Sequence, residues 1–278
     1  MNPKMPDHMS KPTVGFIGLG SQGGPMAERI AEAGFPLVVW ARRPEALEPF
    51  VAKGAPVAES PAALAAGCAV VCVCVVDDAG VAELTDQLIP AMKPGALLAI
   101  HSTILPQSCE ALEARCHQAG LLFLDAPVSG GGGAAAAGKL TVMCGGAPEA
   151  FEVGRAVFAS FAGAIVRLGP AGSGQRAKIV NNALMAANMG LAHAALGVGE
   201  ALGIDRAALA ELIKVSSGRS MGFEVYARLP SPTAFAHGAP LLLKDVNLLG
   251  AIAPEQPGTA VLRAAASNFL SVATGKDL

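Results

Sequence analysis

Gly18, Gly20 and Gly23 stand at G-x-G-x-x-G spacing in the stretch VGFIGLGSQGG. At a strand-to-helix turn that spacing lets backbone N–H groups close on a pyrophosphate. The glycines permit the tight turn and the close approach of backbone to phosphate; Leu19, Ser21 and Gln22 fill the loop between them. About 20 residues past the first glycine, a site for an unphosphorylated ribose places an acid. Here the strand PLVVWARRPE carries Ala41 and then Arg42 and Arg43. Two guanidinium groups suit a 2′-phosphate and leave a bare 2′-hydroxyl without an acceptor. The cofactor read from these residues is NADP(H), with solvated surface arginines as the plainer alternative.

Two later stretches hold further polar groups. SGGGGAAAAGKL, residues 129–140, has the composition of a slack connector, or of backbone placed so that something can approach it. GSGQRAKIVNN sets Lys178 and Asn182 four residues apart, hence on one helix face, with Asn181, Met185 and Met189 nearby. A lysine near a helix start is usually a solvated charge. This one keeps company with glycines and two amides at the expected domain junction, where ligand clefts form.

The elements that must position these groups alternate along the first half of the chain. TVGFIGLG, PLVVWAR, AVVCVCVV, ALLAIHST and LLFLDAPVS read as strands. GPMAERIAEAG, PEALEPFVAKG, VAELTDQLIPAM and PQSCEALEARCHQAG read as the helices between them. The continuous apolar strands are those of a parallel sheet covered on both faces. From Gln175 onward the spacing is helical throughout, beginning with one helix of about 28 residues, roughly 42 Å long. The fold class is therefore α/β: a Rossmann-type doubly wound sheet followed by an all-α C-terminal domain, joined by a long interdomain helix. The expected bounds are a disordered leader over 1–11, a dinucleotide-binding domain over 12–172 and an all-α substrate and dimerisation domain over 173–278.

Composition closes off other classes. Hydrophobic residues make up 52% and charged residues 15% of 278, and the net charge is −2, so there is no basic footprint for nucleic acid. One Trp and one Tyr offer few stacking platforms. The longest apolar run, residues 62–76, is interrupted by Gly67 and falls short of a membrane span. The first residues lack a signal-peptide core, which points to a cytoplasmic protein. Six cysteines without a C-x-x-C pair read as buried free thiols in a reducing compartment, with no metal site expected. So much apolar surface on the long helix suggests a homodimer or homotetramer built through the C-terminal helices.

Four segments together resemble the β-hydroxyacid dehydrogenase family: GFIGLGSQGGPMA, DAPVSGGGGAAAAGKLTVMCGG, GSGQRAKIVNN and KDVNLL, with HSTILP similar to the family's nicotinamide-side loop. They run in family order from residue 15 to about 249. The resemblance implies that Ser129, Gly130 and Gly131 bind a small anionic substrate through its carboxylate, as a nest of amides, and that Gly132 and Gly133 serve packing. It implies that Lys178 is the general acid/base and that Asn182 orients substrate and lysine. It adds Thr103 and Lys244 as cofactor contacts, Val75 and Val76 beside the adenosine, and Asp245 as an anchor for the last loop. The family usually has Met at Gln22, Leu-Pro at Val75 and Val76, and Glu at Ala194. His193 and Arg219 are expected on helical regions near the cleft, where they could tune substrate choice.

The implied activity is NADP-dependent hydride transfer to or from a small β-hydroxyacid or its semialdehyde or keto acid. Two alternatives stand beside it. Imine reductases share the architecture but tend to lack the lysine, and a dinucleotide-binding regulator would do no chemistry at all.

Overall fold

A computed structural model describes residues 11–276. The chain divides into two compact units, Met1–Lys178 and Ile179–Leu278. Residues 1–10 of the expected leader lie outside the described residues; its last, Lys11, donates to the Ala33 carbonyl.

The first unit is built on eight strands: β1 (Val14–Ile17), β2 (Leu37–Trp40), β3 (Val70–Val73), β4 (Leu97–Ile100), β5 (Leu122–Asp125), β6 (Val128–Ser129), β7 (Leu140–Gly146) and β8 (Ala162–Gly169). Their helices are α1 (Gly23–Glu32), α2 (Glu48–Ala52), α3 (Pro61–Gly67), α4 (Asp78–Leu88), α5 (Pro106–Gln118), α6 (Gly131–Ala136) and α7 (Pro148–Phe158). Helix α8 (Ser173–Ala201) begins in this unit, and the division falls within it. The second unit continues through α9 (Arg206–Lys214), α10 (Met221–Ala227), α11 (Ala239–Ile252) and α12 (Pro257–Thr274).

The sheet order is β2-β1-β3-β4-β5-β7-β6, with β8 also on β7. Strands β2 through β5 are parallel, as the βαβ alternation predicts. Beyond β5 the sheet is mixed, because β7 runs antiparallel to both β5 and β6. The turn of the chain after Ser129 reverses its direction and returns it as β7. Strands β1, β3 and β4 are buried at every position. Alternate residues enter opposite layers: Val70 and Cys72 join the cluster around Phe16 and Phe158, while Val71 and Val73 join that around Leu64 and Leu98. Each fully buried large side chain contributes about 1.5–3 kcal/mol, so the continuous apolar runs are what two covering layers require.

The Gly/Ala run is helical. Gly130 caps α6 at φ +131° and Gly131 follows at +73°, values that side chains other than glycine rarely take. All six cysteines are free; burial pushes the thiols up, to about 11 for Cys68 and about 12 for Cys74. In the second unit Ile179, Ala183, Ala186, Met189 and Leu196 of α8 pack with Tyr226, Val246 and Phe269. Among the described residues no helix is long and apolar enough to cross a membrane.

Candidate active site

The loops after β1, β2 and β3 leave the sheet at the carboxyl ends of adjacent parallel strands, where open α/β sheets bind ligands. They enclose a groove of about 560 Å³ lined by Gly18, Leu19, Gly20, Arg42, Arg43, Val75 and Val76, among others. Seven of the residues singled out as cofactor contacts thus share one cavity. Ser21, Gln22 and Gly23 carry the loop into α1, which has no acidic residue in its first turn. Its N-terminal amides therefore have no carboxylate of their own first turn to compete with an anion.

The three glycines differ in what demands them. Gly18 has φ +96°, and a Cβ there would overlap the Cys74 carbonyl. A Cβ on Gly23 would overlap the Gly18 carbonyl, so this glycine packs the helix on the strand. A Cβ on Gly20 would meet nothing within 4 Å. Packing explains the first and third. The free space at Gly20 fits a phosphate group seated against bare backbone, and the residues present fit a dinucleotide.

Arg42 donates to Glu83 of α4 at 2.9 Å, and Arg43 stands 3.9 Å from Glu45. All four side chains are exposed, and such pairs are worth only about 0–1 kcal/mol. A doubly charged phosphate can displace either acid. Ala41 offers no carboxylate for a ribose.

Ser129 ends β6, and Gly130 and Gly131 open α6. Gly132 lies against the cofactor loop, since a Cβ there would overlap the Ser21 carbonyl. Thr103 is half-buried in the loop after β4.

Helix α8 starts on a carboxylate whose role has no local signal in the sequence. Asp125, at the end of β5 and fully buried, accepts from the Gly172 N–H at 2.7 Å and the Gln175 N–H at 2.9 Å. Burial pushes its carboxyl up to about 6, against the lowering effect of those N–H donors. Lys178 follows within the same turns of α8 and is 8% exposed. His101, next to this region, likewise carries no local signal of its role in the sequence. Its Nδ1 donates to the Ala126 carbonyl at 2.8 Å, and Phe16, Phe158 and Phe161 surround the ring. Burial pushes it down to about 4, so the ring is neutral at pH 7.

In the second unit, Asn182 donates from Nδ2 to Asp245 Oδ2 at 2.6 Å. Lys244 Nζ stands 3.2 Å from Asp245 Oδ1. Both residues lie within α11, as the helical spacing after Gln175 predicts, so Asp245 sits in a helix where the resemblance implied a loop anchor: Pro240 in the first turn and the buried Leu242, Leu243, Val246 and Leu249 make KDVNLL helical. Asp245 ties α11 to α8. His193 bonds the hydroxyl of Tyr226 at 2.6 Å. Arg219 is exposed between α9 and α10, outside any helix, and pairs with Glu224 at 2.7 Å.

Residues 13–169 match the family described as the NAD binding domain of 6-phosphogluconate dehydrogenase. Residues 172–277 match that described as NAD-binding of NADP-dependent 3-hydroxyisobutyrate dehydrogenase. The mitochondrial 3-hydroxyisobutyrate dehydrogenase of Bos taurus is 35% identical over 251 residues, 86% of this chain and 75% of that protein. The NAD-dependent L-serine dehydrogenase of Pseudomonas aeruginosa is 38% identical over 247 residues, 84% of this chain and 83% of that protein. The solved 3-hydroxyisobutyrate dehydrogenase of Mycobacterium tuberculosis with L-serine superposes at a TM-score of 0.84, with 29% identity and 96% of each chain covered.

Proposed function

The chain belongs to the β-hydroxyacid dehydrogenase family, and on that premise we propose that it exchanges hydride between NADP and a small β-hydroxyacid or the matching semialdehyde or keto acid, with Lys178 as proton carrier. Membership makes it a hydroxyacid dehydrogenase with a nicotinamide dinucleotide cofactor. The observation that carries the finer reading is the burial of Lys178, 8% exposed at the start of a long helix. Lysines are almost never so enclosed as plain surface charges.

A nicotinamide dinucleotide held by Gly18, Gly20, Arg42 and Arg43 would supply the hydride chemistry when bound. In oxidation the Lys178 amine takes the hydroxyl proton as hydride leaves the same carbon; in reduction the Lys178 ammonium returns it to the carbonyl oxygen. Ser129, Gly130 and Gly131 hold the substrate carboxylate. Support comes from the positive φ at both glycines, a backbone conformation open to a nest of successive amides, next to the Ser129 hydroxyl in the chain. Asn182, tethered to Asp245, orients substrate and lysine. Arg42 and Arg43 take the 2′-phosphate. The compounds named for the relatives, 3-hydroxyisobutyrate and L-serine, share a carboxylate and a hydroxyl on the β carbon. The deciding experiment is a set of initial rates with NADP and NAD against short hydroxyacids and their aldehydes. Turnover of a β-hydroxyacid with NADP preferred supports the reading; NADPH binding with no turnover across the panel removes it.

The proposal extends to a homo-oligomer. Val180, Leu184, Leu191 and Val198 are 50–59% exposed on one helix of the second unit, and an apolar stripe at that spacing suits a second copy. A monomeric mass in solution at micromolar concentration would contradict it.

A further inference from the structure

We propose that Asp125 and Gln175 are positioning residues for hydride transfer, forming a buried relay that sets the start of α8 against the two cofactor-side loops. The inference rests on the reading of Lys178 as proton carrier.

Asp125 and Gln175 are both fully buried. A buried carboxylate is costly unless its surroundings repay it, and here the surroundings are cut to its shape. A Cβ on Gly145 would overlap Asp125 Oδ1, and one on Gly174 would come within 2.7 Å of Oδ2. The carboxylate holds the first turn of α8 through Gly172 and Gln175. The Gln175 side chain then reaches a different strand end. Its Oε1 accepts from the Ile104 N–H at 3.1 Å, and its Nε2 donates to the Ser102 carbonyl at 2.9 Å. Ser102 Oγ in turn accepts from the Val75 N–H at 2.8 Å.

The hydrogen bonds therefore run from β5 to the start of α8, from there to the loop after β4, and on to the loop after β3. Val75 lines the cofactor groove, Thr103 sits between Ser102 and Ile104, and Lys178 is three residues past Gln175. The helix cannot slide or rotate against these loops without leaving buried polar groups unpaired. None of the side chains in the relay is assigned a role on substrate. What they fix is the position of the proton carrier relative to the groove.

Two variants separate this role from general stabilisation. Gln175→Met keeps the volume and loses both amide bonds; kcat should fall about 10- to 100-fold, with KM for NADP and for the hydroxyacid within about threefold. Ser102→Ala keeps its carbonyl bond to Gln175 and releases only Val75; KM for NADP should rise several-fold with kcat within about twofold. Loss of kcat in the first and of cofactor affinity in the second supports the relay. A Gln175→Met kcat within about twofold of the parent overturns it, as does the same parameter moving in both variants. Should Gln175→Met not fold, an unchanged NADP KM in Ser102→Ala overturns it alone. Lys178→Ala with turnover preserved would remove the Lys178 reading, and the kcat-against-KM split would still report on the relay.

Discussion

Gly132 of the glycine tract lies directly against the backbone of Ser21 in the cofactor loop, so closely that a Cβ would overlap the Ser21 carbonyl oxygen. Two motifs far apart in the chain are thereby seated on each other, α6 against α1, through the absence of one methyl group. Gly132→Ala should push α6 off the loop at a cost of about 1–3 kcal/mol. Dinucleotide affinity, read by fluorescence titration, should weaken together with thermal stability. Unchanged affinity would mean that the contact is not felt at the phosphates.

Cofactor choice should follow the charges at the end of β2. Arg42→Ala with Arg43→Ala should lower kcat/KM for NADP about 10- to 100-fold, the worth of charge-assisted bonds to a phosphate, and leave NAD nearly unchanged. Glu83→Gln should act in the opposite sense, because it removes the acid that now holds Arg42. An NADP-to-NAD ratio indifferent to all three substitutions would contradict the assignment of the arginines.

Stability against pH should report His101. Its folded pKa is pushed down to about 4 from 6.5. The unfolded chain therefore binds the extra proton between those values, and the contribution of His101, present above pH 6.5, is lost as pH falls through about 4. Asp125, raised to about 6 from 3.8, works the other way, its contribution present below pH 3.8 and lost as pH rises through about 6. His101→Asn retains a donor for the Ala126 carbonyl and cannot titrate. Between pH 6.5 and 4 it should lose less stability than the parent, by up to about 3 kcal/mol in urea melts. Parallel curves for the two proteins would show that the ring is protonated in the fold.

Two glycines of α8 should respond in opposite directions to the same change. A Cβ on Gly190 would overlap the Ala265 carbonyl of α12, whereas one on Gly197 would meet nothing within 4 Å. Alanine gains about 1 kcal/mol of helix propensity at either place. Gly197→Ala should therefore raise the urea midpoint, and Gly190→Ala should lower it, since displaced backbone outweighs that gain. Equal shifts would contradict close packing of α8 on α12.

The parts of this architecture that could be read along the chain are those with short-range causes. The apolar runs of β1, β3 and β4 announce strands because both faces of each are covered. Gly18 and Gly23 are recognisable because the turn at Gly18 and the close packing at Gly23 demand them within one short loop. The helix in the Gly/Ala run was not legible, since glycine is a poor helix former and α6 depends on its seat against Ser21. Asp125 closes LLFLD as any loop acid would. Its partners lie 47 and 50 residues away, and Gln175 finds Ile104 and Ser102 at 71 and 73. Glu83 reaches Arg42 across 41 residues. Such pairings exist only once the strand ends have been brought side by side. The helical setting of Asp245 was legible in the spacing of the leucines around it, whereas its bond to Asn182, 63 residues away, was not.

The most direct measurement is the pH–rate profile of Lys178→Ala, with the parent's own hydroxyacid and NADP as substrates. Loss of the proton carrier should lower kcat by about 10²- to 10⁴-fold and abolish the limb that the amine's titration produces. Turnover within about tenfold of the parent from about pH 6 to 10, with the limb intact, would show that another group moves the proton.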